Sequence, residues 1–268
     1  MNLRQSERMI DSIQKARRFI GNLLAGNRRH VEAISTDYAL TDPKSAAAGR
    51  FDGWHTTSVA GRQDAAYRVL MQEMYAGRPR QDFVAAAEAV RLTGTTDDTI
   101  LEVGCGSGYY SEILSHLLKR RGRYVGIDYS PAMISLAQKR YPSSPFVVGD
   151  ATALPFADGA FETVLNGVSL MHILRYEVAI AESRRVARRW CILHTVPVLQ
   201  SRETTILRKS AYGQPTIEII FNEAHLCHLL QQQGLVVRHC LTSVPYNLDA
   251  VLGEPTVTRT YVCEVKGK

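Results

Sequence analysis

Between residues 99 and 108 the chain reads Thr-Ile-Leu-Glu-Val-Gly-Cys-Gly-Ser-Gly, and a helical pattern opens at Tyr109. A short apolar run, an acidic residue among apolar ones, and glycine at every second position describe a strand, a tight turn and a helix amino terminus. Glycine at 104, 106 and 108 permits positive φ and lets a ligand approach backbone without meeting a Cβ atom. The N–H groups that begin the helix then face the same space. Nucleotide-binding folds of several kinds use such a turn, and what sharpens the reading lies downstream.

A second strand, Tyr124-Val125-Gly126-Ile127-Asp128, ends in a carboxylate and is followed by Ser130-Pro131, a helix cap with proline at the first helical position. An acid at that point is placed to accept hydrogen bonds from a ribose diol. Further strands are expected at 145–148, 161–166 and 189–196, and helices near 109–121, 131–140, 175–187 and 223–233. Asn222 caps the last helix and Gly234 ends it. Alternating strands and helices argue a parallel sheet covered on both faces. Leu235–Leu241 and Thr258–Lys266 read as closing strands, with 248–255 as the loop between them.

Three stretches carry a resemblance: Glu102-Val103-Gly104-Cys105-Gly106-Ser107-Gly108, then Gly126-Ile127-Asp128-Tyr129-Ser130-Pro131-Ala132-Met133, then Gly149-Asp150-Ala151-Thr152-Ala153-Leu154-Pro155-Phe156. In order and type they resemble the class I S-adenosylmethionine-dependent methyltransferases, most closely the small-molecule branch that includes quinone-biosynthesis enzymes (methyltransferase type 11). The likeness spans about residues 97 to 200. Dinucleotide-binding dehydrogenases match less well, because their glycines follow G-x-G-x-x-G and here the pattern is G-x-G-x-G.

The resemblance implies an α/β, Rossmann-like, doubly wound sheet of seven strands, mostly parallel, the last antiparallel, with an N-terminal helical cap. It divides the chain into a helical or lid segment, 1–94, and a cofactor domain, 95–268. It also implies S-adenosyl-L-methionine as cofactor. Gly104, Cys105, Gly106 and Gly108 would form the turn beside its methionine part, supported by Glu102. Asp128 would hold the ribose hydroxyls, Tyr129 and Met133 would flank the adenine, and Asp150 with the Ala151 N–H would bond its edge. Asn166 and Gly167 would meet the methionine amino group. Glu162 departs from the pattern, since many relatives carry aspartate there.

For a general base the candidates are His172, just past the fourth strand, and His194, near the end of the fifth. Histidine titrates near neutrality and can take an acceptor's proton. Residues 35–63 lack a sustained period and read as a loop-rich segment with a short helix, a common form for binding segments. Trp54 and His55 in it are candidates to touch substrate, the alternative being an aromatic that anchors the loop to the core. Residues 62–93 return to a helical pattern, broken at Gly77-Arg78-Pro79. Residues 1–26 carry an apolar stripe, Met9, Ile10, Ile13, Ala16, Ile20, Leu23 and Leu24, suited to packing on the domain or on a second copy in a homodimer.

The 45% hydrophobic and 22% charged composition is that of an ordinary globular chain. The net charge of +6 permits acidic partners without requiring them. Five cysteines without a C-x-x-C pair indicate neither a disulfide framework nor a zinc knuckle, and fit a reducing cytoplasm. His225 and His228 share a helical face but lack a third ligand, so no metal is expected. No apolar run reaches membrane-spanning length.

The expectation is therefore a cytoplasmic methyltransferase acting on a small-molecule, glycan-linked or lipid-linked acceptor, at oxygen in preference to nitrogen or carbon. Two alternatives stay open: RNA methylation, and a non-catalytic scaffold that keeps the cofactor pocket. Against RNA stands Asn166-Gly167-Val168-Ser169 in place of the Asn-Pro-Pro-Tyr-like tetrapeptide of amino-group nucleic-acid methylases. Asp128→Ala is expected to weaken cofactor binding without unfolding the protein.

Overall fold

The computed structural model describes residues 35–49, 51, 53–94, 98–119 and 122–266. The helix expected over 1–26, and a homodimer formed through it, lie outside the described residues.

The described chain forms ten strands: β1 (Ser35–Thr41), β2 (Ile100–Val103), β3 (Tyr124–Asp128), β4 (Phe146–Val148), β5 (Phe161–Gly167), β6 (Ala187–Leu199), β7 (Thr205–Ala211), β8 (Gln214–Asn222), β9 (Leu235–Thr242) and β10 (Val257–Val265). The helices are α1 (Pro43–Ala48), α2 (Thr57–Tyr75), α3 (Gln81–Leu92), α4 (Tyr109–Leu118), α5 (Pro131–Arg140), α6 (Tyr176–Val186), α7 (Glu223–Gln232) and α8 (Asp249–Leu252), with 3-10 turns at Gly53–His55 and Leu170–His172.

Strands β4, β3, β2, β5 and β6 lie side by side in parallel. Strand β10 enters antiparallel between β6 and β9, as the closing strands imply. Those seven are the Rossmann-like sheet. Apolar strands with short turns make this the stable solution, since β2 and the middle of β5 are buried on both faces.

The strand count exceeds the expected seven because β6 runs on past the sheet. Opposite β10 a bulge places His194 and Thr195 against Thr260, and Thr195 takes φ 55°. Beyond it, Val198 and Leu199 pair in parallel with Phe221 and Asn222 of β8. Strands β8, β7 and β1 then extend the sheet antiparallel. The β7–β8 hairpin turns on Tyr212 and Gly213, both at positive φ, 50° and 75°, which matches the twist of its strands. The segment expected to be loop-rich therefore contributes an edge strand, β1, as well as the short helix α1.

Helix α2 lies on α5. Val59 and Ala60 bury against Met133, and the Asp64 carboxylate, itself buried, accepts from Arg140. The Ser130 hydroxyl donates to the Trp54 carbonyl, 2.7 Å. Arg62 reaches the Tyr212 carbonyl, 2.6 Å, tying the same helix to the hairpin. The N-terminal cap and the β7–β8 extension thus enclose the carboxyl ends of the parallel strands from two sides.

Among the described residues no helix is long and apolar enough to cross a membrane, and no cluster of three or more His, Cys, Asp or Glu could hold a metal ion. The basic run at 184–189 is partly structural. Arg185 donates to Glu182, Asp158 and the Leu154 and Phe156 carbonyls, and so clamps the loop before β5.

Candidate active site

The glycine turn is built as the spacing requires, and its three glycines serve different ends. Gly104, Gly106 and Gly108 take φ of 72°, 53° and 81°. A Cβ on Gly104 would fall 2.2 Å from the Cβ of Ser169, so the loop after β5 rests directly on the backbone. On Gly108 it would fall 2.7 Å from the Phe146 ring: this glycine admits the aromatic packing between α4 and β4 and does not line the cavity. Gly106 faces the cavity, and a Cβ there would approach the Gln63 Oε1 at 3.0 Å. Cys105 points its thiol inward to the core, and its N–H donates to the Ile127 carbonyl, 3.1 Å.

Asp128 ends β3 beside this turn, nearly buried, at the cavity wall. Its oxygens accept from the Gly106 and Ser130 N–H groups, each at 2.9 Å. Burial raises its pKa above the ordinary carboxylate value, and these two bonds together with His55 oppose that rise. The carboxylate therefore holds the turn as well as facing the ligand space, which corrects the expectation that it makes ligand bonds alone.

A cavity of about 730 Å³ begins here, along Gly104, Gly106, Asp128, Met133 and Gly167. Tyr129, Asp150 and Ala151 border the same end, as does His55, whose ring meets Tyr129 edge-on at 4.4 Å. Asp150 Oδ1 accepts from the N–H and hydroxyl of Thr152, at 2.7 and 2.9 Å. Val168, the β-branched residue after Gly167, adopts φ 57°, a strained conformation at the site's wall.

Behind the turn are two buried polar atoms without a hydrogen-bond partner among the described residues, Glu102 Oε1 and Asn166 Nδ2. Glu102 accepts from the Tyr124 hydroxyl through its other oxygen, and burial pushes its pKa well up. Its Oε1 lies against Gly167, where a Cβ would come within 2.1 Å. Asn166 Oδ1 accepts from the Ser169 hydroxyl and the Leu170 N–H, fixing the loop after β5. A third unpartnered atom, Gln63 Oε1, points to the turn from α2. Of these three, Gln63 lines the cavity while Glu102 and Asn166 sit just behind its wall, and buried polar atoms are usually paired, so the turn is suited to a polar guest. An adenosyl cofactor carrying an ammonium fits this donor and acceptor set.

The two histidines part company. His172 lines the cavity, its Nδ1 2.6 Å from the Ile217 carbonyl. A carbonyl can only accept, so Nδ1 carries the hydrogen and Nε2 keeps the lone pair. Burial, then the nearby Lys209 ammonium, lowers its pKa to about 4. His194 is a core residue and does not line the cavity: Nε2 meets the Tyr110 hydroxyl and Nδ1 the Thr260 hydroxyl, each at 2.8 Å. With both nitrogens engaged it has no lone pair for an acceptor, which removes it as a base.

Trp54 reaches the cavity as expected, its indole N–H donating to Thr216 Oγ1 at 3.1 Å and its ring 5.4 Å from that of His172. Several lining residues went unread in the sequence. Gln63 lies on a helix without a motif, and Lys209, Tyr38 and Tyr246 belong to the β1, β7 and β10 approaches, brought together only by the sheet extension. The one sequence trace of that extension is the Tyr212-Gly213 turn between two β-branched runs.

Residues 101–193 match the family model described as a methyltransferase domain. The chain is similar to the 2-phytyl-1,4-naphtoquinone methyltransferase of Thermosynechococcus vestitus, 27% identical over 161 residues that cover 51% of this chain and 71% of that protein. It is also similar to a demethylmenaquinone methyltransferase of Staphylococcus aureus, 35% identical over 91 residues, 33% of this chain and 38% of that one. Among solved structures, magnesium protoporphyrin IX methyltransferase from Synechocystis with bound S-adenosylmethionine superposes with a TM-score of 0.55 at 18% identity, covering 85% of this chain and 99% of that one. The 1,6-didemethyltoxoflavin-N1-methyltransferase of Burkholderia thailandensis gives 0.54 at 16% identity, covering 89% and 99%. Residues 101–193 are therefore a methyltransferase domain, and the fold around them is shared with solved S-adenosylmethionine-binding methyltransferases.

Proposed function

We propose that the protein methylates an oxygen atom of a small, largely apolar acceptor, with His172 removing the proton. The observation that carries this reading is the continuity of one cavity from the Gly104–Gly106 turn and Asp128 to His172 and the apolar wall of Phe51, Leu70, Met171 and Leu248. The names of the quinone methyltransferase relatives support a ring-bearing acceptor.

S-adenosylmethionine supplies an activated, electrophilic methyl group, so the protein's share is alignment, exclusion of water and removal of a proton. Asp128 would hold the sugar hydroxyls, Tyr129 and Met133 would flank the base, and Asp150 with the Ala151 N–H would bond its edge. Glu102 Oε1, the Gly167 backbone and Asn166 would take the amino-acid end. Trp54, fixed through Thr216, would press the acceptor ring toward His172. The neutral Nε2 of His172 would accept the hydroxyl proton as the oxygen is alkylated.

The test is turnover by the purified chain with labelled S-adenosylmethionine on hydroxylated ring compounds, beside their O-blocked analogues and RNA. Methylation of the hydroxylated set alone supports the reading, and transfer to the O-blocked set or to RNA contradicts it. Binding of the cofactor without any turnover would favour a scaffold. His172→Gln is expected to lower kcat by about 10²- to 10⁴-fold with cofactor affinity unchanged. A kcat equal to wild type removes His172 as the base.

A further inference from the structure

Three consecutive residues of β8 hold the far end of the cavity. Thr216 accepts the Trp54 indole, the Ile217 carbonyl accepts His172, and Glu218 holds Lys209 and Tyr246. The side chains of Thr216 and Glu218 point to one face, as alternate residues of a strand do. The first two contacts position groups already given a role. The third is a buried ion pair: the Lys209 and Glu218 side chains retain 9% and 3% of their exposure.

A buried pair of this kind is weak as a stabilising device, because the desolvation of both charges offsets their attraction and apolar replacements often serve as well. Its arrangement is lopsided. Both Glu218 oxygens are engaged, one by Lys209 and the other by the Tyr246 hydroxyl. The ammonium has three donors, of which one goes to Glu218; it also lies 5.5 Å from the centre of the Tyr38 ring, and Lys209 lines the cavity while Glu218 does not. Burial disfavours the ammonium, and Glu218 more than restores it. The pair thus presents a cation to the end of the cavity that Tyr38, His172, Thr216 and Tyr246 also line, with its counter-charge behind the wall.

We infer that Lys209 binds an anionic oxygen of the acceptor, one other than the atom methylated, so that the enzyme selects acidic, hydroxylated ring compounds over neutral apolar ones of the same shape. This rests on the reading of the cavity's far end as the acceptor site. A neutral guest would leave a remaining donor of the ammonium unused, whereas an anionic oxygen would take it, and a site built to hydrogen-bond a guest rejects one that cannot.

The test measures binding to the full chain in the presence of S-adenosylhomocysteine, with 2-hydroxy-1,4-naphthoquinone, an anion at neutral pH, and its uncharged 2-methoxy ether as probes. Wild type is expected to prefer the anion by ~10-fold or more. Lys209→Met alone would strand the Glu218 charge, so the double variant K209M/E218Q, which removes both charges, guards against misfolding. It is expected to lose that preference while binding the ether and S-adenosylhomocysteine as wild type does, and Lys209→Arg is expected to retain it. Equal wild-type affinity for the two probes, a parallel loss of both in the double variant, or binding of S-adenosylhomocysteine with neither probe overturns the assignment. A chain that binds no S-adenosylhomocysteine overturns the methyl-transfer reading beneath it.

Discussion

Asp128 shows how one side chain can serve the fold and the ligand together. Its carboxylate ties Gly106 to Ser130, and so couples the glycine turn to the cap of α5 while facing the cavity. Asp128→Ala leaves two buried N–H groups without their acceptor. The expected cost is about 1–3 kcal/mol of stability, alongside the weakened cofactor binding, read by denaturant unfolding and calorimetry. Wild-type stability would show that the two backbone bonds carry no load. The histidines make a second case at this scale. Burial lowers His194 to about 4, below the ordinary value of 6.5, so the unfolded chain binds its proton more readily. That contribution to stability is complete above pH 6.5 and is lost as pH falls toward 4. His194→Gln should therefore flatten the fall in unfolding free energy between neutral pH and about pH 4.5 by on the order of 2 kcal/mol. An unchanged slope contradicts a neutral, buried His194; the remaining slope includes His172, shifted the same way.

At the level of elements, the central strands and the turns between them were legible in the sequence, and the sheet extension was not. Residues 99–108 announce strand, turn and helix because glycine, periodicity and capping agree there. Helix α5 announces itself through Ser130 and Pro131 in the same way, its Ser130 hydroxyl accepting from the Met133 N–H. Strands β7 and β8 carry no such punctuation beyond Tyr212-Gly213, and β1 is an edge whose pairing with β7 is set by tertiary contact, through a register shift between Thr36 and Ala39. The site divides along the same line. The end at the glycine turn is encoded locally by strand tips, apart from Gln63 reaching it from α2, whereas the far end, with Lys209, Tyr38 and Tyr246, exists only once distant segments meet. Strand β8 can be tested as the organiser of that end. Thr216→Val keeps the shape but removes the acceptor for the Trp54 indole. The acceptor's KM is expected to rise by about 3- to 10-fold with cofactor affinity unchanged, the size of one lost neutral hydrogen bond. An unaltered KM would place Trp54 outside acceptor binding.

Across the whole molecule, the cap on α2 and the extension on β7–β8 close over the carboxyl ends of the parallel strands, where open α/β sheets bind ligands. Gln63 and Trp54 from the cap, and Lys209 and Thr216 from the extension, reach one chamber from opposite sides. The cap is held there by the Asp64–Arg140 pair, its carboxylate buried and its guanidinium partly exposed, and by the Val59 and Ala60 contacts to Met133. On the proposed reading, cofactor and acceptor share this one space, built from three parts of the chain. In the proposed function this space seats the cofactor at the glycine turn, with its sugar on Asp128 and its sulfur turned toward the His172 end. A crystal structure with S-adenosylhomocysteine tests it most directly. Both ribose hydroxyls are expected within hydrogen-bond distance of Asp128, and the amino group paired with Glu102 Oε1 or the Gly167 carbonyl. A nucleoside bound elsewhere, or an Asp128 whose only partners remain the Gly106 and Ser130 N–H groups, would contradict it.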